Sequence, residues 1–210
     1  MPQGDVRRFP KKGISTGWLH DFCESKSDNT KIKLYKRNKK SFCPPTNLGQ
    51  SYIMIGAGTG VAPFRGFLQQ RKYLIDNIQK DETDSMKSIG KTWLIFGCRS
   101  SDLDFIYKEE MYAFEQNTIL TRLDCAFSRE NGNIKYVQDV IKTNGKDIVK
   151  SIIEDKALVY VCGDALNMAK DVQEAIIQVM IKDSNLNETE VREKMADMRL
   201  KDEYLQDIWT

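Results

Sequence analysis

From Ser51 onward, short runs of apolar residues alternate with longer stretches in which apolar positions recur every three or four residues. The runs fall at 52–55 (YIMI), 92–97 (TWLIFG), 119–127 (ILTRLDCAF) and 157–162 (ALVYVC). Runs that are apolar at nearly every position, separated by helical stretches, predict parallel strands covered by helices on both faces. The helical period is clearest in DALNMAKDVQEAIIQVMIK, where Leu166, Ala169, Val172, Ile176 and Val179 share one stripe and Asp164 stands at the N-cap position. A similar stripe follows Asp104 in DFIYKEEMYAFEQN. Residues 76–91, DNIQKDETDSMKSIGK, are polar and aperiodic and predict a surface loop. The expected class is α/β, a doubly wound parallel sheet with helices on both faces.

The first 48 residues do not share this alternation, and the paired prolines of FCPPTNLGQ mark a break, so the chain is expected to divide into 1–48 and 49–210. Residues 1–50 hold 11 Lys/Arg against 4 Asp/Glu, which leaves 21 against 26 for the rest, so the whole basic excess behind the net charge of +2 is N-terminal. Such an excess suits a nucleic-acid arm or a lysine-rich edge strand. The partial alternation of Ile32, Leu34 and Tyr35 in KIKLYKRNKK favours the edge strand, and no nucleic acid is expected as a partner.

A chain of 210 residues buries a core without disulfides or metals. No apolar run approaches the roughly 20 residues of a bilayer span, so no membrane is expected as a partner. The opening MPQGDVRRFPKKG lacks the apolar centre of a secretion signal, which makes the cytoplasm the expected compartment. Cys23, Cys43, Cys98, Cys125 and Cys162 are scattered singly, without zinc or disulfide spacing, and His20 is the only histidine. Reduced thiols and no metal site are the expectation.

The chemistry concentrates in YIMIGAGTGVAPFRGF. Gly56, Gly58 and Gly60 follow an apolar strand and precede Pro63 and a helix. A glycine-rich turn from strand to helix aims free backbone N–H groups and the positive end of a helix dipole at one point, which suits a phosphate. The spacing is G-x-G-x-G, neither the G-x-G-x-x-G dinucleotide fingerprint nor a P-loop, and three glycines also serve simple turn geometry. The other strand ends favour a ligand. The second strand runs into GCRSSD and the third into AFSRE, which puts Arg99, Ser128 and Arg129 where an adenosine ribose would lie in an open sheet. An NAD site usually has a carboxylate there, whereas arginine suits the 2′-phosphate of NADP. The fourth strand ends in VYVCGDA, where Cys162 is either a small buried hydrophobe or a thiol presented to the ligand. These residues suit an enzyme part or a dinucleotide-binding module without chemistry.

Six motifs in order, GISTGWL, GAGTGVAPFRGFLQ, FGCRSSDLDFIYKEE, AFSRE with KYVQD, VYVCGDALNMAKDV and YLQDIW, resemble those of the NADPH-dependent diflavin reductases, whose FAD/NADPH half is built like ferredoxin-NADP reductase. The resemblance implies NADPH, FAD and, in a full-length protein, FMN. It implies that Gly58, Thr59 and Gly60 hold the NADPH pyrophosphate, that Arg99 lies along the adenosine, and that Ser128 and Arg129 grip the 2′-phosphate. Lys135, Tyr136 and Gln138 would serve the same end, although several relatives carry the lysine one position earlier, where this chain has Ile134. Gly163 and Asp164 would support Cys162 beside the nicotinamide, with Asp207 as its acidic partner and Trp209 stacked on the flavin ring. Gly13, Ile14, Ser15 and Thr16 would open a helix against the FAD diphosphate. Residues 1–48 would then be the remnant of the FAD-binding region and linker, and 49–210 the NADPH-binding domain. The upstream FAD barrel with its Arg-x-Tyr-Ser motif and the FMN domain have no counterpart, so the chain reads as a C-terminal fragment whose partners are those domains and a protein electron acceptor. The terminal YLQDIWT and KYVQD point to a cobalamin enzyme as that acceptor.

Overall fold

The computed structural model describes residues 13–25, 31–33, 35, 42–77 and 89–209. The chain forms two units, Met1–Asn38 and Lys39–Thr210. In the first, helix α1 (Ile14–Glu24) starts from an extended Gly13 and buries none of its residues; Trp18 and Phe22, one turn apart, stack with ring centroids 5.9 Å apart. The edge strand expected over KIKLYKRNKK is not found at residues 31–33 and 35, and the rest of it lies outside the described residues. Ile32 is 38% and Tyr35 91% exposed, so the apolar side is only partly covered, and alternation without a packed face does not make a strand.

The second unit runs β1 (Tyr52–Ala57), a 3₁₀ turn (Gly58–Val61), α2 (Ala62–Asp76), β2 (Thr92–Cys98), α3 (Lys108–Gln116), β3 (Arg122–Phe127), α4 (Val137–Thr143), α5 (Gly145–Ile153), β4 (Leu158–Asp164), α6 (Met168–Asp183), α7 (Glu188–Leu200) and β5 (Tyr204–Trp209). The five strands pair in the order β3-β2-β1-β4-β5, every pair parallel. Successive strand residues feed opposite faces. Ile53, Ile55, Trp93, Ile95, Val159 and Val161 pack with α4, α5, α6 and α7, while Tyr52, Met54, Leu94, Phe96, Tyr160 and Cys162 pack with α2 and α3. The strands are apolar at nearly every position because both faces are covered, which is the doubly wound architecture. No helix of the described residues is long and apolar enough to cross a membrane.

Two boundaries differ from the expectation by three residues or more. β3 begins at Arg122 rather than 119, because Ile119 and Leu120 are core residues of the loop leaving α3: they are buried, yet their N–H groups bond back to the Phe114 carbonyl. The apolar run thus outlasts the strand. Helix α6 begins at Met168, and Asp164 is the last residue of β4, not the N-cap. Its carboxylate accepts the N–H groups of Leu166 (3.3 Å) and Asn167 (2.9 Å), which turns the chain before the helix starts.

The end of the sheet where the strands begin is closed by one buried cation. Arg71 of α2 is 4% exposed; its Nε donates to the Ile119 carbonyl at 3.1 Å and its Nη2 to that of Gly90 at 2.5 Å, with the guanidinium 5.7 Å from the Tyr52 ring centre. The loops entering β2 and β3 are thereby pinned to α2. That leaves the opposite end, where the strands finish, for the site.

Candidate functional site

The strand order reverses at β1: β2 and β3 lie to one side, β4 and β5 to the other. Connections leaving to opposite sides open a crevice at the carboxyl ends of β1 and β4. β1 ends there in the glycine turn. Gly58 has φ 55°, where a side chain is strained, and nothing lies within 4 Å of the place its Cβ would take. Gly60 is buried instead, and a Cβ on it would meet the Cys162 carbonyl oxygen at 2.2 Å. One glycine turns the chain and leaves bare backbone at the crevice; the other lets the turn press against β4. No side chain caps the start of the turn, which runs straight into α2 with Pro63 in its first helical turn. Its N–H groups and the positive end of the helix dipole are thus left for an anion.

A cleft of about 750 Å³ opens over the turn, within the ~300–1,000 Å³ of small-molecule sites. Gly58 and Thr59 form its floor, Arg99 enters from the end of β2 and Ser128 from the end of β3. Lys135, Tyr136 and Gln138 come from the start of α4, and Asp164 from the end of β4. Residues far apart in the chain meet here because each follows a strand of the same parallel sheet.

The other sequence-predicted residues do not line the cleft. Arg129 is exposed, and its backbone N–H donates to the Arg99 carbonyl at 2.9 Å, tying the ends of β2 and β3. Cys162 is 1% exposed, with its side chain in the core on the α2 face. It pairs in register with Gly56 on one side and Asp207 on the other. Gly163 has φ 153°, and a Cβ on it would meet Met168 Sδ at 3.3 Å. Trp209 lies opposite Asp164 at the end of β5, its ring 46% exposed and its carbonyl held by the Ala165 N–H at 2.9 Å. Gly13, Ile14, Ser15 and Thr16 form the exposed start of α1, in the other unit. Among the described residues no group of His, Cys, Asp and Glu could hold a metal ion.

Carboxylates organise the cleft, and all of them stand inside the sequence motifs as neighbours of the residues singled out there. Asp104 Oδ2 accepts Arg99 Nε–H at 2.7 Å and the Arg99 N–H at 3.2 Å, while Oδ1 accepts the Ser100 N–H at 2.7 Å. The bond from Arg99 holds the Asp104 carboxyl below the usual carboxylate range. Asp139 accepts the N–H groups of Lys135 (3.0 Å) and Tyr136 (2.9 Å), and Lys135 Nζ donates to the Glu130 carbonyl. The Glu130 carboxylate takes the Ser101 N–H, which lowers its pKa and joins the loops after β2 and β3. Gln138 Nε2 reaches Asp171 Oδ2 at 3.3 Å, linking α4 to α6. Cys98, also on the wall, is a buried thiol that desolvation pushes up to about 11. Sequence reasoning missed Asp104, Asn167, Met168 and Asp171 as cleft residues. Asp104 was within reach, five residues after Arg99 in one loop; the meeting of Gln138 with Asp171, 33 residues on, has no local signal.

Two cations, three hydroxyls, two amides and an uncapped turn fit a phosphorylated dinucleotide, and Asp104, the lining carboxylate after β2, is already engaged by Arg99 and backbone N–H groups. Comparison with known proteins agrees. A model of the Oxidoreductase NAD-binding domain family matches residues 54–174. Methionine synthase reductase of Homo sapiens is 36% identical over 220 residues, covering 95% of this chain and 31% of the relative. That of Rattus norvegicus is 33% identical over 231 residues, covering 100% and 32%. NADPH–cytochrome P450 reductase of Cavia porcellus is 36% identical over 201 residues, covering 95% and 28%. The chain spans about a third of the length of the curated relatives it matches. With its sheet order, its glycine turn and these matches in agreement, the chain belongs to the oxidoreductase NAD-binding domain family, in the form of the NADPH-binding module of a diflavin reductase.

Proposed function

We propose that this chain binds NADPH and presents its nicotinamide to FAD within a longer diflavin reductase, to which the remaining FAD region and an FMN domain belong. The observation that supports this best is the meeting of the bare Gly58 backbone with Arg99, Ser128 and Lys135 in one cleft where the strand order reverses. When bound, NADPH supplies a hydride that FAD takes up and FMN passes on as electrons. The chain's own residues hold and orient. The backbone at Gly58, Thr59 and Gly60 receives the pyrophosphate, Arg99 lies along the adenosine, and Ser128, Arg129, Lys135, Tyr136 and Gln138 serve the 2′-phosphate end. Gly163 and Asp164 support Cys162, which with Asp207 orients the nicotinamide. Trp209 covers the flavin face, and Gly13, Ile14, Ser15 and Thr16 receive the FAD diphosphate at the start of α1. On this reading residues 1–48 complete the FAD-binding region.

The electron acceptor we assign is cobalamin-dependent methionine synthase, reactivated reductively in the cytoplasm. The support is the terminal YLQDIWT, the KYVQD stretch and the likeness to the human and rat methionine synthase reductases. A second reading, a haemoprotein acceptor, draws on the comparable identity of the Cavia porcellus P450 reductase. Reduction assays of the longer protein with each acceptor decide between them.

The coenzyme reading is tested by calorimetric titration of this chain with NADP⁺ and NAD⁺ at matched ionic strength. NADP⁺ binds more tightly, and Arg129→Ala weakens it by about tenfold or more while leaving NAD⁺ unchanged, since a hydrogen bond to a charged group is worth about 1.5–3 kcal/mol. Equal affinities of the unsubstituted chain for the two coenzymes would refute the reading.

A further inference from the structure

We propose that Asp104 is a positioning residue that fixes Arg99 for the adenosine shared by NADP and NAD, leaving the extra phosphate of NADP to the segment between β3 and α4. The inference rests on the dinucleotide reading above and adds to it a division of labour between the cations of the cleft.

Both residues line the cleft. Two backbone N–H groups, those of Arg99 and Ser100, anchor the Asp104 carboxylate at 3.2 and 2.7 Å, so its position is set by the loop and not by a ligand. From that anchor it takes the Arg99 Nε–H at 2.7 Å, which fixes one edge of a planar guanidinium and leaves its faces and far nitrogens to the cleft. The Asp104 side chain is 23% exposed and that of Arg99 61%. The acid therefore stays behind while the guanidinium reaches out. A phosphate approaching Arg99 meets a cation already balanced by an anion.

The opposite wall differs. Lys135 Nζ bonds a neutral carbonyl, that of Glu130, and neither Lys135 nor Arg129 forms an ion pair among the described residues. The charge of Lys135 is unbalanced on the wall where the Ser128 hydroxyl also stands, and Arg129 adds its own as the next residue in the chain. Attraction for an added dianion follows uncompensated charge. The balanced cation is thus suited to the adenosine present in both coenzymes, and the unbalanced ones to the group that only NADP has.

The test is a double-mutant cycle on the whole chain, with Asp104→Asn, Arg99→Ala and the pair titrated against NADP⁺ and NAD⁺. The expected result is that Asp104→Asn weakens both coenzymes by the same factor, about fivefold for one partly exposed charged bond, with the NADP⁺/NAD⁺ ratio unchanged. In the Arg99→Ala background it adds nothing, because the two residues act as one unit. Tighter NADP⁺ binding by Asp104→Asn, a loss confined to NADP⁺, or additive effects would each overturn the proposal. Should Asp104→Asn not fold, Arg99→Lys keeps the charge without the planar edge; an equal loss for both coenzymes supports the proposal and a loss for NADP⁺ alone overturns it. An unsubstituted chain that binds neither coenzyme overturns the dinucleotide reading and this inference with it. Normal NADP⁺ binding that Asp104→Asn leaves untouched overturns the inference alone.

Discussion

A Cβ on Gly60 would stand 2.2 Å from the carbonyl oxygen of Cys162, so the glycine turn after β1 and the strand that carries the cysteine are in backbone contact. Backbone on both sides leaves no flexible side chain to move aside. Gly60→Ala should therefore push the turn off β4, at about 1–3 kcal/mol or more for overpacking, and weaken NADP⁺ binding by displacing the turn's N–H groups. Gly58→Ala meets no atom and costs only the strain of its positive φ, about 1 kcal/mol. Urea unfolding of the two variants checks this order; equal losses would mean that the contact does not govern the turn.

Arg71 makes the second prediction. Removing it takes the charged donor from both carbonyls; the Ile119 oxygen keeps the Thr92 hydroxyl at 2.9 Å, while the Gly90 oxygen is left without a side-chain donor. Arg71→Met should cost about 2–4 kcal/mol in thermal or urea unfolding, from two charged hydrogen bonds lost and one acceptor, the Gly90 carbonyl, left unmet. Arg71→Lys should recover part of this, because one ammonium does not span both carbonyls as the fork does. Cofactor affinity should change little in either variant, since Arg71 lies at the end of the sheet away from the cleft.

The tyrosines set an alkaline limit. Burial pushes Tyr52 and Tyr204 up to about 12 from the ordinary 10.0, and Tyr160 higher still. Raised folded values mean that the neutral phenols favour the fold fully below pH 10, and that this contribution is lost as the pH climbs from 10 toward 12. Melting temperature should hold to about pH 9 and fall beyond it. The Tyr52 hydroxyl is buried beside the Arg71 guanidinium without a well-aligned hydrogen bond, so Tyr52→Phe should leave stability at neutral pH nearly unchanged and flatten the alkaline fall. A marked loss at pH 7 would show that the hydroxyl is satisfied after all.

Trp209 separates a strand anchor from a flavin cover. Its main-chain bond with Ala165 survives truncation, and its ring is only half buried, so Trp209→Ala should cost this chain about 1 kcal/mol or less. In a longer protein that includes the FAD region the same change should alter nicotinamide affinity and discrimination. A large drop in melting temperature, together with unchanged steady-state kinetics, would instead make the ring an anchor.

Strands β1, β2 and β4 were legible to within about two residues because a strand covered on both faces is apolar at nearly every position, and that is a local property. β3 was read too long for the same reason, as Ile119 and Leu120 are core residues without being strand. KIKLYKRNKK shows the limit from the other side: alternation alone makes no strand at its described residues, where Tyr35 is 91% exposed and Ile32 only partly covered.

What the amino-acid order determined by itself was the alternation of buried runs and amphipathic stretches, the glycine turn and the polar residues that follow each strand, since propensity, period and turn chemistry act over a few neighbours. Only the tertiary structure decided which of those residues share a wall. Parallel pairing set Cys162 between Gly56 and Asp207, and buried its side chain on the α2 face of the sheet. Folding of the loops gave Arg99 an internal counter-charge in Asp104 and joined Gln138 to Asp171 across two helices. Charge balance and solvent access depend on distance in space, and sequence separation carries no information about either until the sheet has assembled.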